Sequence, residues 1–133
     1  MQKQITVQTS SKKELVDITK EVEGIVKKSG IKEGICNVFV HHATAAIVIN
    51  ENADPDIQKD LLELLEKLIP EGRWRHDKMD NNAAAHLKSS VIGPERTIPI
   101  SQSRLNLGQW QDIFLCEFDG PRERNITVTI IRD

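Results

Sequence analysis

Imidazole is the commonest protein ligand for zinc-like metals and changes its charge near neutral pH, so the chain's four histidines are the first residues to weigh. His42 follows an apolar alternating run, His76 sits in a polar segment, and His86 lies on the polar stripe of a helical pattern. Three imidazoles with an open fourth position make a reactive rather than a structural metal centre. Their separations of 34 and 10 residues match no fixed metal motif, so hydrogen-bonding roles stay open beside ligation. His86 has polar company: Asn82 and Ser90 lie four residues to either side and share its helix face. A stripe of Asn, His and Ser suits a ligand phosphate, a metal or water.

The run Asn50-Glu51-Asn52-Ala53-Asp54-Pro55-Asp56 places three carboxylates and two amides between a strand end and a helix start. Asp54 and Asp56 are explained by capping and by the helix dipole. Glu51 is not needed for either, and is the candidate general base, metal ligand or partner to a histidine. Lys88, Arg104, Arg122 and Arg124 are available to a phosphate, with surface ion pairing as the default for each. Trp74 and Trp110, in a chain with no Tyr and three Phe, read as core or subunit interface, or as a stacking wall for a flat ligand. No G-x-S-x-G, P-loop, C-x-x-C or dinucleotide fingerprint occurs.

These residues need elements to position them. Gln4 to Val7 alternates as a strand, and Lys12 to Asp17 is either its hairpin partner or a first helical turn, since Ser11 and Glu14 have capping-box spacing. Ile18, Val22, Ile25 and Val26 follow helical spacing up to Ser29-Gly30. Gly34 to Val40 and Ala45 to Asn50 read as two strands joined by the turn that holds His41, His42, Ala43 and Thr44. The clearest helix begins at an Asp54 cap with Pro55 in its first turn, carries Ile57, Leu61, Leu64, Leu65 and Leu68 on one face, and ends at Pro70.

Residues 70 to 81 read as a loop. A helix over Asn82 to Ile92 has Ala83, Ala84, Leu87 and Val91 as its apolar side and Asn82, His86, Ser89 and Ser90 as its polar side. Thr97 to Ile100, Trp110 to Phe118 and Ile126 to Ile131 supply later strands. The expectation is one α+β domain over 1–133, with a β-rich, sandwich-like core of mostly antiparallel strands and about three helices.

Both charge signs are interspersed, 18 basic against 20 acidic residues for a net charge of −2, so no global field draws the chain to nucleic acid or anionic lipid. No apolar run reaches membrane-spanning length and the N-terminus is polar, which reads as cytoplasmic. Cys36 and Cys116 alternate with apolar neighbours, as reduced core thiols do.

Four ordered segments have a recognisable pattern: Val38-Phe39-Val40-His41-His42-Ala43-Thr44-Ala45-Ala46, Ile49 to Asp56, Asp80 to Ser90, and Leu107-Gly108-Gln109-Trp110-Gln111 followed by Glu117 to Arg122. With them the chain resembles the YjbQ family, known as secondary thiamine-phosphate synthases. The resemblance implies a homotrimer and family histidines at His42, His76 and His86. It carries the acidic-amide block onto Asn50, Glu51, Asp54 and Asp56, and the helix motif onto Asn82, Lys88 and Ser89. Two departures stand out: the family usually shows Pro-His-Thr-Thr where this chain has His41-His42-Ala43-Thr44, and Tyr where it has Trp74. The extra His41 is a possible fourth ligand.

The implied activity joins a pyrimidine diphosphate to a thiazole phosphate and releases pyrophosphate. In that picture Glu51, His86 and Lys88 are catalytic, and Thr44, Asn50, Asn82, Ser89 and Arg122 bind the phosphorylated substrate. His42, His76 and His86 hold a divalent metal, for which three imidazoles favour a zinc-like ion over magnesium. Two other readings stand beside it. One is a metal-dependent hydrolase of a small phosphorylated metabolite with Glu51 as base; the other is a module that binds metal or phosphate ligand without turnover.

Overall fold

A computed structural model describes all residues, 1–133. The chain runs β1 (Gln2–Gln8), β2 (Glu14–Asp17), α1 (Thr19–Ser29), β3 (Gly34–Val40), β4 (Ala45–Glu51), α2 (Pro55–Leu68), α3 (Asp77–Asp80), α4 (Ala83–Ile92), β5 (Glu95–Ser101), β6 (Arg104–Leu105), β7 (Gln111–Glu117) and β8 (Glu123–Arg132). All strand pairings are antiparallel, in a five-stranded sheet ordered β1-β8-β3-β5-β6 and a three-stranded sheet ordered β2-β7-β4. This is the expected α+β fold, with four helices where about three were anticipated.

The layers follow from side-chain period. In β8, Arg124, Ile126, Val128 and Ile130 are buried while the intervening residues are at least partly exposed, the signature of a sheet with one covered face. Strand β7 is buried almost throughout because both faces are covered. Ile113 and Leu115 join Cys36, Val38, Ile126 and Val128 in the core that also takes Val22 and Val26 of α1. Cys116 and Phe118, on the opposite face, pack with Ala46, Leu65 of α2 and Ala85 of α4. Burial pushes both thiols up to about 12, so Cys36 and Cys116 stay protonated inside the core, as expected of reduced thiols.

Several local expectations change once long-range pairing is seen. Segment 12–17 does contain a strand, but β2 pairs with β7 in the other sheet and forms no hairpin with β1. The Ser11/Glu14 spacing caps a turn: the Glu14 carboxylate accepts from the backbone N–H groups of Ser10 and Ser11 at 2.6 and 2.8 Å. Strands β3 and β4 also lie in different sheets. At their junction the N–H of His41 donates to Asn125 in β8, whereas Thr44 accepts from Phe118 after β7, so residues 41–44 carry the chain from one layer to the next.

The loop at 70–81 contains the one-turn helix α3. Asp77 ties it down by accepting from the N–H of Trp74 at 3.1 Å and from the N–H of Ala83 at 3.0 Å. Neither Trp74 nor Trp110 is core, at 38% and 58% exposed. The α2 start is as expected, with the Asp54 carboxylate accepting from the Asp56 N–H at 2.9 Å and Pro55 in the first turn.

Helix α4 departs furthest. Its buried residues are Ala83, Ala84, Ala85, Lys88 and Ser89, while Val91 is 69% exposed. The expected apolar stripe is thus rotated, because a carboxylate on α2 makes it possible to bury a lysine at the position a hydropathy pattern assigns to solvent.

Candidate functional site

The segment before α4 and its first turn together form one open groove of about 390 Å³. Arg73, Trp74, Arg75 and His76 supply one wall, His86 and Leu87 the other, and no acidic side chain lines it. Asn81 in a left-handed conformation ends α3 and lets the chain turn directly into α4. That turn brings His76 and His86 edge to face, with ring centroids 4.7 Å apart and planes at 81°. The Trp74 indole N–H donates to the carbonyl of Pro70 at 2.8 Å, which holds the ring in the wall. Two guanidiniums, two imidazoles and a flat indole in one concavity are suited to an anionic ligand with an aromatic part.

A second group lies around the 41–44 crossing. The buried Arg124 guanidinium pairs with the buried Glu117 carboxylate through Nε at 3.0 Å and through Nη2. Its Nη2 also donates to the Thr44 hydroxyl at 2.9 Å and the Thr44 carbonyl at 3.3 Å. Glu117 accepts further from the Thr9 hydroxyl at 2.7 Å and the Asp119 N–H at 3.0 Å. Burial pushes the Glu117 carboxyl up, but the hydrogen bonds from Arg124, Thr9 and Asp119 outweigh it and leave the group below its ordinary value. Next along β8, the N–H of Asn125 donates to Nε2 of His42 at 3.2 Å. Burial, then the Arg124 and Arg122 charges, hold the His42 imidazole below its ordinary value against the opposing pull of Glu117.

Asp119 joins this group to α4. Its Oδ2 accepts from Asn82 Nδ2 at 2.9 Å and from Arg122 Nη2 at 3.1 Å, and its carbonyl accepts from Arg122 Nε at 2.9 Å. His42, Thr44, Asn82 and Arg122 therefore belong to one polar network. Its connecting residues are Glu117, Asp119 and Arg124, of which the sequence reading singles out only Arg124, as a source of positive charge. The signal for two of them was present: Glu117 falls in phase with Ile113 and Leu115, and Arg124 in phase with Ile126 and Val128, and a charge on a core period requires a buried partner.

Other candidates are placed elsewhere. Ala45 pairs with Glu117 and Glu51 with Gln111, so Asn50 and Glu51 lie five and six residues along β4 beyond Ala45, roughly 17 and 20 Å at strand rise. Glu51 there lines a small cleft beside Ile57, Gln58 and Leu61 of α2, and its N–H donates to the Asn50 side chain at 2.7 Å. The gathering of Glu51 with the histidines does not occur within one chain. Nor do any three His, Cys, Asp or Glu side chains converge to hold a metal. His76 and His86 can offer two ligands, but His42 Nε2 is already an acceptor for a backbone N–H. The residues of a single chain do not fit the expected three-imidazole centre. His41, the possible fourth ligand, bonds Thr127 Oγ1 at 2.7 Å on the outer sheet face.

Lys88, expected to be catalytic, is an interior residue of the chain: 1% exposed, it pairs with Glu66 of α2 and lies 5.9 Å over the Phe118 ring. Glu66 is shared with Lys13 at 2.6 Å. Ser89 is buried too, and its hydroxyl, like Asn82 Oδ1, has no hydrogen-bond partner. Removing Glu66 strands a buried ammonium, whereas replacing that ammonium by an apolar chain of similar length does not. Glu66→Ala is thus expected to lower the thermal midpoint more than Lys88→Met; equal shifts would mean that the pair is solvated.

The sequence model described as UPF0047 protein YjbQ-like matches residues 3–133. The chain belongs to the YjbQ family. The UPF0047 protein YugU of Bacillus subtilis is 41% identical over 134 residues, covering 98% of this chain and 99% of that protein. A UPF0047 protein of Methanothermobacter thermautotrophicus is 41% identical over 128 residues, covering 96% and 89%. The crystal structure of a YbjQ-like protein of unknown function from Sulfolobus solfataricus superposes with a TM-score of 0.96 at 47% identity, covering 100% of this chain and 97% of that one. The two-sheet arrangement and the 41–44 crossing are therefore features of a YjbQ-family fold. No helix is long and apolar enough to cross a membrane.

Proposed function

We propose that the protein binds a small phosphorylated metabolite in the groove between the α3 segment and α4, and acts on it as a thiamine-phosphate-synthase-like transferase. The observation that carries this reading is the groove itself, with Arg73, Arg75, His76 and His86 around the Trp74 indole and no carboxylate in its lining. In the transfer, the carbon–oxygen bond between the pyrimidine's methylene and diphosphate breaks, the lone pair of the thiazole ring nitrogen forms the new bond to that carbon, and pyrophosphate leaves with the electron pair of the broken bond. Negative charge grows on the departing oxygen, where fixed cations stabilise the transition state more than the ground state. The indole offers a flat wall for the pyrimidine ring. The steps assigned here belong to side chains, and a zinc-like divalent metal, held by histidines together with groups of a neighbouring chain, would add charge stabilisation at the departing diphosphate.

Calorimetric titration with pyrophosphate tests the binding step. The expected result is saturable one-site binding that weakens as salt rises; no heat at millimolar pyrophosphate would remove the reading. Binding without product from the two phosphorylated substrates would leave a module that holds its ligand without turnover.

The homotrimer and the cytoplasmic setting belong to the same proposal. Trp110, Ile131 and Leu68 are 58%, 56% and 65% exposed, apolar surface that subunit contacts would cover. A neighbouring chain is also the route by which Glu51 can approach a histidine. Light scattering is expected to give three times the chain mass of 15.0 kDa; a monomer at micromolar concentration would refute it.

A further inference from the structure

Both walls of the groove hang from carboxylates that a single side chain joins. On the α3 side, Glu71 precedes Gly72, whose φ of +80° turns the chain into Arg73 and Trp74, and the Trp74 indole N–H reaches back to the Pro70 carbonyl at 2.8 Å. On the α4 side, Glu66 pairs with the buried Lys88, which directly follows the groove residues His86 and Leu87. Lys13 Nζ lies 2.6 Å from Glu66 and 3.2 Å from Glu71, and it alone reaches both.

Lys13 is itself placed by contacts outside the groove. The neighbouring Glu14 carboxylate accepts from the Ser10 and Ser11 N–H groups, and the Lys12 carbonyl accepts from the Gly120 N–H at 3.0 Å. The approach is close: a Cβ on Gly120 would meet the Ser11 carbonyl oxygen at 2.4 Å. The chain then enters β2 with Glu14 opposite Glu117. Residues 10–14 are therefore a fixed post on the 117–120 turn, from which one ammonium extends to the two groove supports.

Charge balance does not call for this lysine. Without it, Glu66 keeps Lys88 and Glu71 keeps Lys12 at 3.1 Å, so no buried charge is stranded. What only Lys13 supplies is the link, a common cation for one carboxylate on α2 and another just past the end of that helix. We propose that Lys13 is a positioning residue that fixes the spacing between the Trp74 wall and the α4 wall, and with it the groove's fit to its ligand. The fit to a ligand rests on the phosphorylated-metabolite reading above; the spacing does not.

With Trp110→Phe as a common background, Trp74 is the one remaining indole and reports on its wall directly. Lys13→Met removes the charge at similar length, whereas Lys13→Arg keeps it on a fork that can meet two carboxylates. Lys13→Met is expected to shift the Trp74 emission maximum and raise its quenching by acrylamide. It is also expected to weaken pyrophosphate binding roughly 3- to 10-fold, the scale of two partly exposed ion pairs. Lys13→Arg restores both readouts, and the thermal midpoint of Lys13→Met stays well above that of Glu66→Ala. Unmoved Trp74 fluorescence in Lys13→Met, or a change that Lys13→Arg does not restore, overturns the inference and leaves the groove's ligand reading intact. A midpoint as low as that of Glu66→Ala makes Lys13 a residue of fold stability, and a moved Trp74 with wild-type pyrophosphate affinity removes its positioning role; each overturns the inference. Trp74 fluorescence moved and restored, in a protein whose wild type does not bind pyrophosphate, overturns the ligand reading alone.

Discussion

Glu117→Ala is expected to lower the unfolding free energy by about 3–5 kcal/mol in a urea titration, since it leaves the Arg124 guanidinium buried without a counter-charge. That is a large part of the roughly 5–15 kcal/mol typical of a domain. The loss spreads beyond the pair: the Thr9 hydroxyl and the Asp119 N–H lose their acceptor, and the Thr44 crossing keeps only an uncompensated cation as its clamp. The double variant Glu117→Leu/Arg124→Met is expected to be less destabilised than Glu117→Ala, because no charge is left unpaired. Near-additive losses in the two single variants would show that the pair is uncoupled.

The same carboxylate sets a pH dependence. Its folded-state value lies below the ordinary one of 4.5, so the unfolded chain binds a proton at higher pH than the folded chain does. The stabilisation is complete above about 4.5 and is lost as pH falls through the lower, folded-state value. Urea midpoints should therefore decline on acidification below that range, and this dependence should be reduced in the double variant.

The second large effect is on ligand binding. Arg73→Ala/Arg75→Ala is expected to weaken pyrophosphate binding by roughly 10- to 100-fold, the scale of losing charge-assisted contacts, and to flatten its salt dependence. Both arginines are exposed and neither joins an ion pair in the chain, so the thermal midpoint should hardly change. An unchanged affinity would place the anion outside the groove.

Legibility from the sequence was uneven in a physically sensible way. Strand period, the Asp54-Pro55 helix start and the Gly30 helix end depend on residues within one turn of each other, and each lies where the local pattern placed it. His42, His76 and His86 were recognisable as polar residues at element edges, but their distances depend on which strands pair. Glu51 looked close to the histidine region because β4 follows it in sequence; an extended seven-residue strand carries it away.

By itself, then, the sequence determined the α+β composition, the order of the longer elements and the family. Those properties are written in side-chain period, caps and ordered motifs, all of which act over a few residues. Only the tertiary structure decided that Lys88 points inward to Glu66, that Glu117 and Arg124 join β7 to β8, and that His42 accepts from Asn125. Each of these requires two groups distant in sequence to meet, and a buried charge or a committed ring nitrogen is stable only when that particular partner is present.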